Sequence, residues 1–177
     1  MRIGMLPKLI AFDLDGTIWS PDMYMLWGGG SPFKSVSNSE LRDTSKQPVK
    51  LLGACGELLD EFKTSPEWEG TKIAWVSCTD EPSWADECSR LFKTPMNVPL
   101  KDRVDEEMIF KANKQAHFKQ LQSRLNIPYE SMLFFDNEVS NIHSVSKLGV
   151  MAVHCPHGVT RELWDETIQS FKDRSVA

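Results

Sequence analysis

Several features are absent from this sequence, and each absence excludes a class of protein. No stretch approaches the roughly 20 consecutive apolar residues of a membrane span, so we expect no membrane partner. The chain has 20 Lys and Arg against 25 Asp and Glu, a formal charge of -5, and no run of basic residues. We therefore expect no nucleic-acid partner. The apolar stretch at the N-terminus is interrupted by Pro7 and Lys8, unlike that of a signal peptide.

Cysteine is sparse. The four cysteines lack the paired short spacing of a zinc site and the density of a disulfide scaffold: Cys55, Cys78, Cys88 and Cys155. We interpret them as reduced thiols and expect a cytoplasmic protein. Cysteine phosphatases need a Cys-x5-Arg loop, and six positions after Cys78 the residue is Trp84, which argues against that chemistry. The four histidines show no ligand spacing with the cysteines, and we expect them to be structural or solvent-facing.

The sequence does contain an alternation of short apolar runs with segments of helical spacing. Buried strands are predicted at 8–14, 72–77, 131–137 and 150–155, with a weaker one at 108–110. Helices are predicted from 49, from about 83, over 114–127, over 138–149 and in the C-terminal tail. Strands that are apolar on both faces and separated by helices imply a parallel sheet covered on both sides. The predicted fold class is α/β, a Rossmann-like doubly wound sheet.

One segment, residues 20–50, does not follow this alternation. It is rich in Gly, Ser and Pro and shows no sustained period, so we interpret it as a loop or hairpin flap within a single domain spanning 1–177. Its aromatic residues Tyr24, Trp27 and Phe33 have two open interpretations, stacking on a substrate or packing on the core. The flap is too short for a lid domain, so we expect an open site.

Two aspartates, Asp13 and Asp15, lie at the end of the first apolar run, in "KLIAFDLDGTIW". Polar residues also end the strands predicted at 72–77 and 131–137, and ligands bind beyond the carboxyl ends of parallel strands. A carboxylate can attack phosphorus to form an acyl phosphate, and a second one can protonate the leaving oxygen and then activate water. Carboxylates and carbonyls are also the hard oxygen ligands of Mg2+. The spacing therefore favours metal-assisted phosphoryl chemistry.

With these motifs the chain resembles the haloacid dehalogenase-like phosphatases. "DLDGT" is similar to their first motif, Ser77 after "IAWV" to the second, Lys114 to the third and "LFFDN" to the fourth. A narrower resemblance, to the small magnesium-dependent acid phosphatases with almost no cap, extends in order over "FDLDGTIW", "SPF", "KQAHF", "FFDNE" and "KLGV". It implies a Mg2+-dependent phosphomonoester hydrolase that acts through an aspartyl phosphate on bulky or exposed substrates. These include an aryl phosphate such as phosphotyrosine, a phosphoprotein or a sugar phosphate.

The resemblance also implies a role for each matching residue. Asp13 would be the nucleophile and Asp15 the general acid and base, while Thr17 would orient the loop. The phosphoryl group would be bound by Leu14 and Asp15 through their N–H groups, and by Ser77, Cys78 and Lys114. Mg2+ would be bound by Asp13, by the backbone carbonyl of Asp15, and by Asn137 or Asp136.

This chain departs from the narrower family at two positions. The fourth motif reads Asp136-Asn137 rather than Asp-Asp, a pairing that also resembles the phosphatases acting on the polymerase carboxy-terminal domain. We favour Asn137 as the metal ligand with Asp136 as an outer carboxylate, and the choice stays open at this point. Cys78 stands where that family usually has Arg, which leaves the substrate preference open. Asn141 is either an outer partner of the metal or an ordinary exposed helix residue.

Charge balance and rival functions complete the interpretation. Asp13, Asp15 and Asp136 bring three negative charges, which Mg2+ and Lys114 would balance. Carbon–halogen hydrolysis would need no acid at Asp15, which argues against it. A non-catalytic phosphate- or metal-binding module is the alternative that remains. We expect a monomer whose partner is its phosphomonoester substrate.

Overall fold

Two β-sheets organise the chain, in a computed structural model that describes residues 4–174. The strands, in chain order, are β1 (Leu9–Phe12), β2 (Trp19–Ser20), β3 (Lys34–Ser37), β4 (Glu40–Arg42), β5 (Pro48–Leu51), β6 (Lys72–Ser77), β7 (Glu106–Ile109), β8 (Met132–Asp136) and β9 (Met151–His154). The helices are α1 (Cys55–Thr64), α2 (Pro82–Leu91), α3 (Lys114–Leu125), α4 (Val139–Ser146) and α5 (Arg161–Arg174). Within residues 4–174, no helix is long and apolar enough to cross a bilayer.

The larger sheet has five parallel strands in the order β7-β6-β1-β8-β9. Alternate residues of β1 face opposite sides: Ile10 and Phe12 pack with α1, α2 and α5, while Leu9 and Ala11 pack with α3 and α4. Both faces of the central strands are therefore buried, which explains their continuous apolar runs. The predicted doubly wound α/β fold is confirmed.

The β1 strand lies at the centre of the sheet and at its switch point. The chain passes from β1 to β6 and β7 on one side, and then returns to form β8 and β9 on the other. In sheets of this type, ligands bind at the carboxyl edge near the switch point. Asp13, Ser77 and Asp136 end or directly follow the three adjacent strands β1, β6 and β8.

The start of α3 places Lys114 at this same edge. The side chain of Asn113 caps the helix by accepting the N–H of Gln115 at 2.9 Å. At the other end Asn126 adopts a left-handed conformation with φ of 52°, and Pro128 follows. The helix expected over 114–127 therefore spans Lys114–Leu125.

The predicted flap, residues 20–50, contributes most of a second, antiparallel sheet in the order β2-β5-β4-β3. The expectation of a helix from residue 49 was wrong for its first turn. Residues 48–51 form β5 instead, because they pair with both β4 and β2, and α1 begins only at Cys55. Gly53, with φ of +55°, turns the chain between them where a Cβ would lie 2.4 Å from the carbonyl oxygen of Val159.

The flap is fastened to the rest of the protein by the half-buried carboxylate of Glu87. Glu87 on α2 accepts the N–H of Phe33 at 2.7 Å and also the hydroxyl of Ser31. Within the flap, buried Asp43 accepts the N–H of Gly30 at 3.0 Å. Phe33 itself is buried and packs edge-on against Trp84, so the core interpretation holds for this aromatic residue. By contrast, Tyr24 and Trp27 are exposed.

Candidate active site

A cleft of about 240 Å³ opens at the carboxyl edge of the parallel sheet. The sheet contributes Asp13, Ser77 and Cys78 to its walls, the start of α3 contributes Lys114, and the flap contributes Asp22 and Tyr24. The structure thus brings together Asp13, Ser77, Cys78 and Lys114, which come from three separate stretches of the sequence and were expected to act together. Asp15 also lines the cleft.

Lys114 connects the strands at the base of the cleft. Its ammonium donates to Asp13 Oδ1 at 2.6 Å, to the carbonyl of Val76 at 2.7 Å and to Asp136 Oδ2 at 3.1 Å. Burial alone would lower the pKa of Lys114, but Asp13 and Asp136 outweigh burial and hold this pKa above its usual value. The buried side chain therefore stays charged and saturated with acceptors.

Asp13 is an almost fully buried carboxyl group. Burial raises its pKa to about 7, and Asp136 and Asp15 add to the rise, while Lys114 opposes it. The ionised form of Asp13 thus depends on nearby positive charge. Lys114 supplies one such charge on the Oδ1 side.

Asp15 is held by the indole N–H of Trp19, which donates to Oδ1 at 2.8 Å. Burial raises the pKa of Asp15, and the charge of Asp22 raises it further. Hydrogen-bonding groups of Trp19, Met23 and Thr79 act in the opposite direction. A carboxyl group whose pKa is raised by burial is suited to hold and release a proton.

Asp136 is fully buried, and both of its oxygens are occupied by donors. Oδ1 accepts the N–H of Glu138 at 2.8 Å, and Oδ2 accepts Lys114 at 3.1 Å and the amide N–H of Asn141 at 3.0 Å. These bonds aim the carboxylate at Lys114 rather than at the oxygens of Asp13 and Asp15. Asn141 is therefore a partner of Asp136.

Asn137 faces two acceptors that it cannot hydrogen-bond through oxygen. Its amide oxygen lies 3.2 Å from Asp13 Oδ2 and 3.1 Å from the backbone oxygen of Asp15. In the opposite orientation, the amide nitrogen would donate to both. Three oxygens that converge in this way are ordinarily stabilised by a cation, and neighbouring ligands of an octahedral Mg2+ ion lie about 3 Å apart. The set Asp13 Oδ2, Asp15 O and Asn137 Oδ1 therefore fits Mg2+.

This oxygen set is not a cluster of acidic side chains. Within residues 4–174, no three side chains of His, Cys, Asp or Glu form a group that could hold a metal ion. A metal at the cleft would instead use one carboxylate, one backbone carbonyl and one amide. All three are hard oxygen donors of the kind that Mg2+ binds, and Mg2+ usually keeps several waters as well.

The turn from Leu14 to Trp19 shapes the floor of the cleft. The carbonyl of Leu14 accepts the N–H groups of Thr17 at 3.0 Å and Ile18 at 2.8 Å. Gly16 takes φ of +79°, where a side chain would be strained, and a Cβ there would lie 2.4 Å from the amide nitrogen of Asn137 and displace this amide. Across residues 4–174, the N–H groups of Leu14 and Asp15 have no hydrogen-bond acceptor, which leaves them available to phosphoryl oxygens.

Thr17 links this turn to two of the three oxygens that fit Mg2+. Its hydroxyl lies 3.3 Å from Asp13 Oδ2 and 3.3 Å from Asn137 Oδ1. Because a hydroxyl carries one proton, it donates to only one of them at a time. This fully buried residue connects the turn to Asp13 and Asn137, and its loop-orienting role stays a prediction.

The second motif presents a hydroxyl and a thiol. Ser77 Oγ accepts the N–H of Thr79 at 3.2 Å, so its own proton stays available to a ligand in the cleft. The thiol of Cys78 donates to the carbonyl of Ala112 at 3.0 Å and is turned toward the loop before α3.

The imidazole of His117, with its pKa lowered by burial, lies near the carbonyls of Ser77 and Phe110. Fully buried His117 therefore has a structural role, one of the two roles expected of the histidines.

Other cleft residues were not singled out from the sequence as site residues. Trp19, Asp22 and Thr79 contribute to the surroundings of Asp15, and Glu138 and Asp80 lie on the cleft wall. Only Trp19 carried a usable signal, because it lies four positions after Asp15 in a segment that must turn at Gly16. The positions of the others depend on how the flap and the loop before α2 are folded.

Comparisons with known proteins match this chain to phosphatases. Residues 5–174 match the Acid Phosphatase family. Magnesium-dependent phosphatase 1 of Homo sapiens is 32% identical over 166 residues, which are 94% of this chain and 88% of that protein.

Two solved structures share the fold. A haloacid dehalogenase-like family hydrolase from Xanthomonas campestris superposes with a TM-score of 0.62 at 11% identity, over 99% of each chain. The N-terminal part of a Bacteroides fragilis protein, which contains a phosphatase domain complexed with Mg, gives a TM-score of 0.61 at 20% identity. This chain is covered to 90% in that match but spans only 39% of the other chain. At these identities the likeness concerns the fold alone.

Proposed function

We propose that this chain hydrolyses phosphomonoesters through an aspartyl phosphate on Asp13. The premise is that the chain belongs to the Acid Phosphatase family and is a magnesium-dependent phosphatase of the haloacid dehalogenase-like type. The resemblance found in the sequence is thereby confirmed at the level of the family. The observation that carries the proposal is the setting of Asp13. One of its oxygens bonds to the Lys114 ammonium at 2.6 Å, and the other faces the oxygens of Asp15 and Asn137.

In the first half-reaction, the carboxylate of Asp13 attacks phosphorus and the bond to the ester oxygen breaks. Asp15 gives its proton to that leaving oxygen, so the alcohol departs neutral. Lys114, Ser77 and the N–H groups of Leu14 and Asp15 stabilise the charge on the phosphoryl oxygens. Asp13 then carries an acyl phosphate and Asp15 is a carboxylate.

In the second half-reaction, Asp15 removes a proton from water as the water oxygen attacks phosphorus. The bond from phosphorus to Asp13 breaks, phosphate leaves, and both aspartates return to their starting states. Lys114 remains bonded to Asp136, which keeps the ammonium in place when the bond to Asp13 is lost. The cycle consumes one water and releases one alcohol and one phosphate.

We propose that Asp13 Oδ2, the carbonyl of Asp15 and the amide oxygen of Asn137 hold Mg2+, with Asp136 acting through Lys114 and Asn141 rather than as a ligand. When bound, the metal neutralises the phosphoryl dianion next to a carboxylate nucleophile. Without a cation, the Asn137 amide is better oriented with its nitrogen toward these oxygens. The preferred orientation of this amide therefore depends on the metal.

The shape of the cleft supports a bulky substrate. The flap forms one wall and leaves the cleft open, and Tyr24, which is 56% exposed, lies at its edge. An exposed ring in this position suits an aryl phosphate, including phosphotyrosine on a peptide or protein. Sugar phosphates are the second candidate class, because an open cleft admits them equally. We further propose a single-domain, monomeric enzyme. We also propose that it is cytoplasmic, which the four free thiols support.

Hydrolysis of p-nitrophenyl phosphate by the purified protein tests the proposal, with Mg2+ and with EDTA. Asp13→Asn should lower turnover by more than about a thousandfold. Asp165→Asn, a change at an exposed carboxylate on α5, is the matched control and should leave turnover unchanged. Acid-quenched protein should carry a phosphoryl group on the peptide that contains Asp13, and more of it in Asp15→Asn.

Two outcomes would contradict the proposal. Turnover within a few-fold of wild type in Asp13→Asn would exclude this residue as the nucleophile. Mg2+ binding without turnover on aryl phosphates, sugar phosphates or phosphotyrosine peptides would favour a non-catalytic binding module.

A further inference from the structure

We infer that Trp19 is a positioning residue for acid catalysis, which fixes one oxygen of Asp15 as an acceptor and leaves Oδ2 as the oxygen that exchanges the proton. This inference rests on the proposed function, because it concerns the acid of that reaction. It is carried by the 2.8 Å bond from the indole N–H to Asp15 Oδ1.

The direction of this bond decides which oxygen can carry the proton. An indole nitrogen donates and has no lone pair to accept, so Oδ1 must be an acceptor whenever the bond exists. A protonated carboxyl has one O–H, and a proton on Oδ1 would compete with the indole proton. Because the carbonyl oxygen of a protonated carboxyl is its better acceptor, the Trp19 bond favours the proton of Asp15 on Oδ2, alongside the hydrogen-bonding groups of Met23 and Thr79.

The indole is held firmly enough to impose this choice. Trp19 is fully buried, and its ring stacks on Phe92 with the centroids 5.9 Å apart. Its backbone pairs with Leu51 of β5, and its carbonyl accepts the N–H of Gly16 at 2.8 Å. The residue thus joins the catalytic turn to β5 of the antiparallel sheet. A ring fixed on these sides cannot follow Asp15 if the carboxyl rotates.

The cost of losing the bond should depend on the leaving group. An alkoxide is a poor leaving group and needs the proton from Asp15 as the ester bond breaks, whereas p-nitrophenolate departs readily without one. A misdirected carboxyl proton therefore slows alkyl phosphates much more than p-nitrophenyl phosphate. A change that only loosens packing would slow both substrates by the same factor.

The experiment compares Trp19→Phe with wild type on β-glycerol phosphate and on p-nitrophenyl phosphate, both with saturating Mg2+. We expect kcat/KM to fall about 10- to 100-fold for the alkyl ester and less than about threefold for the aryl ester. Trp68→Phe is the matched control. Trp68 is also buried, but within residues 4–174 its indole nitrogen has no partner. Its ratio of the two rates should equal that of wild type.

Two further variants separate positioning from packing. Trp19→His retains a ring N–H and should recover part of the alkyl rate. In an Asp15→Asn background, Trp19→Phe should no longer change the ratio of the two rates, because no acid remains to be positioned. The indole proton of Trp19, observed by NMR in the otherwise intact protein, should shift on Asp15→Asn and not on Asp165→Asn.

Equal losses on both esters in Trp19→Phe would overturn the inference and leave the proposed function standing. An indole resonance of Trp19 that does not shift on Asp15→Asn would also overturn the inference and leave the proposed function standing. Failure of the wild-type protein to hydrolyse either ester, or full activity in Asp13→Asn, would instead refute the proposed function and this inference with it.

Discussion

Lys114 and Asp13 are 101 positions apart in the chain, yet the ammonium of one lies 2.6 Å from a carboxylate oxygen of the other inside the protein. The same ammonium holds Asp136 at 3.1 Å. One buried cation therefore bonds to two buried carboxylates and offsets one of their two negative charges. Removing the cation should affect both catalysis and stability.

Lys114→Met should abolish most activity and destabilise the fold. We expect turnover to fall on the order of 100- to 1000-fold, because a donor to the phosphoryl group is lost. In EDTA, the free energy of unfolding should fall by about 3–5 kcal/mol, because two buried carboxylates are left without a cation. Urea unfolding measures the second effect. Lys111→Met is the control: this lysine is 69% exposed and pairs with exposed Asp80, so its loss should cost less than about 1 kcal/mol.

The pKa of Asp13 predicts an unusual pH dependence of stability in EDTA. Its folded pKa, about 7, lies above the value of 3.8 for a free carboxyl, so the folded state retains a proton that the unfolded state has lost. Stability should therefore fall as pH rises from about 4 to about 7 and then level off. Thermal unfolding at a series of pH values measures this. Asp13→Asn should lose most of the slope, and added Mg2+ should reverse the loss of stability above pH 7. A slope unchanged in Asp13→Asn would refute this assignment.

Asn137 decides which residue binds the metal. Asn137→Asp should tighten Mg2+ binding because it adds a negative charge to the oxygen set, and Asn137→Ala should raise the Mg2+ concentration needed for half-maximal activity. Calorimetric titration and activity at varied Mg2+ measure both. Asn38→Ala removes an amide that bonds to the carbonyl of Thr94 and should leave the metal dependence unchanged. The same metal dependence in all Asn137 variants would transfer the ligand role to Asp136.

The flap should loosen when Glu87 is removed. Glu87→Ala leaves the N–H of Phe33 and the hydroxyl of Ser31 without their acceptor and should cost about 1–3 kcal/mol of stability. Hydrogen exchange should quicken in residues 21–33, and KM should rise more than kcat falls, because Tyr24 and Asp22 lose their fixed positions. Glu67→Ala, at an exposed position, is the control. Unchanged exchange in the flap would show that it is held by other contacts.

The central strands and most of the helices could be predicted because their residues carry strong local patterns. Residues 72–77 were predicted as a strand and form one with the same bounds. A short apolar run between two helical segments is typical of a buried strand in a parallel sheet. The helix prediction was wrong for the start of the segment from Val49, because the apolar spacing of these residues also fits a helix. Pairing with β2 and β4, which are distant in sequence or weakly patterned themselves, determines its strand conformation.

The identity of the site residues could also be predicted from the sequence, but not the way their side chains face one another. Asp13, Asp15, Ser77, Lys114 and Asn137 were recognisable because the motifs place each at the end of a predicted strand or the start of a helix. Their chemistry follows from residue type and position along the chain. The sequence by itself therefore determined the fold class, the edge of the sheet that bears the cleft, and the residues expected to react.

Only the tertiary structure decided how these residues face one another. It turned Asp136 toward Lys114 and Asn141, aimed the Asn137 amide at Asp13 and the carbonyl of Asp15, and placed the indole of Trp19 against the acid. It also separated Phe33, buried in the core, from Tyr24 at the cleft. Side-chain direction depends on the packing of elements that are far apart in sequence, and no local pattern records it.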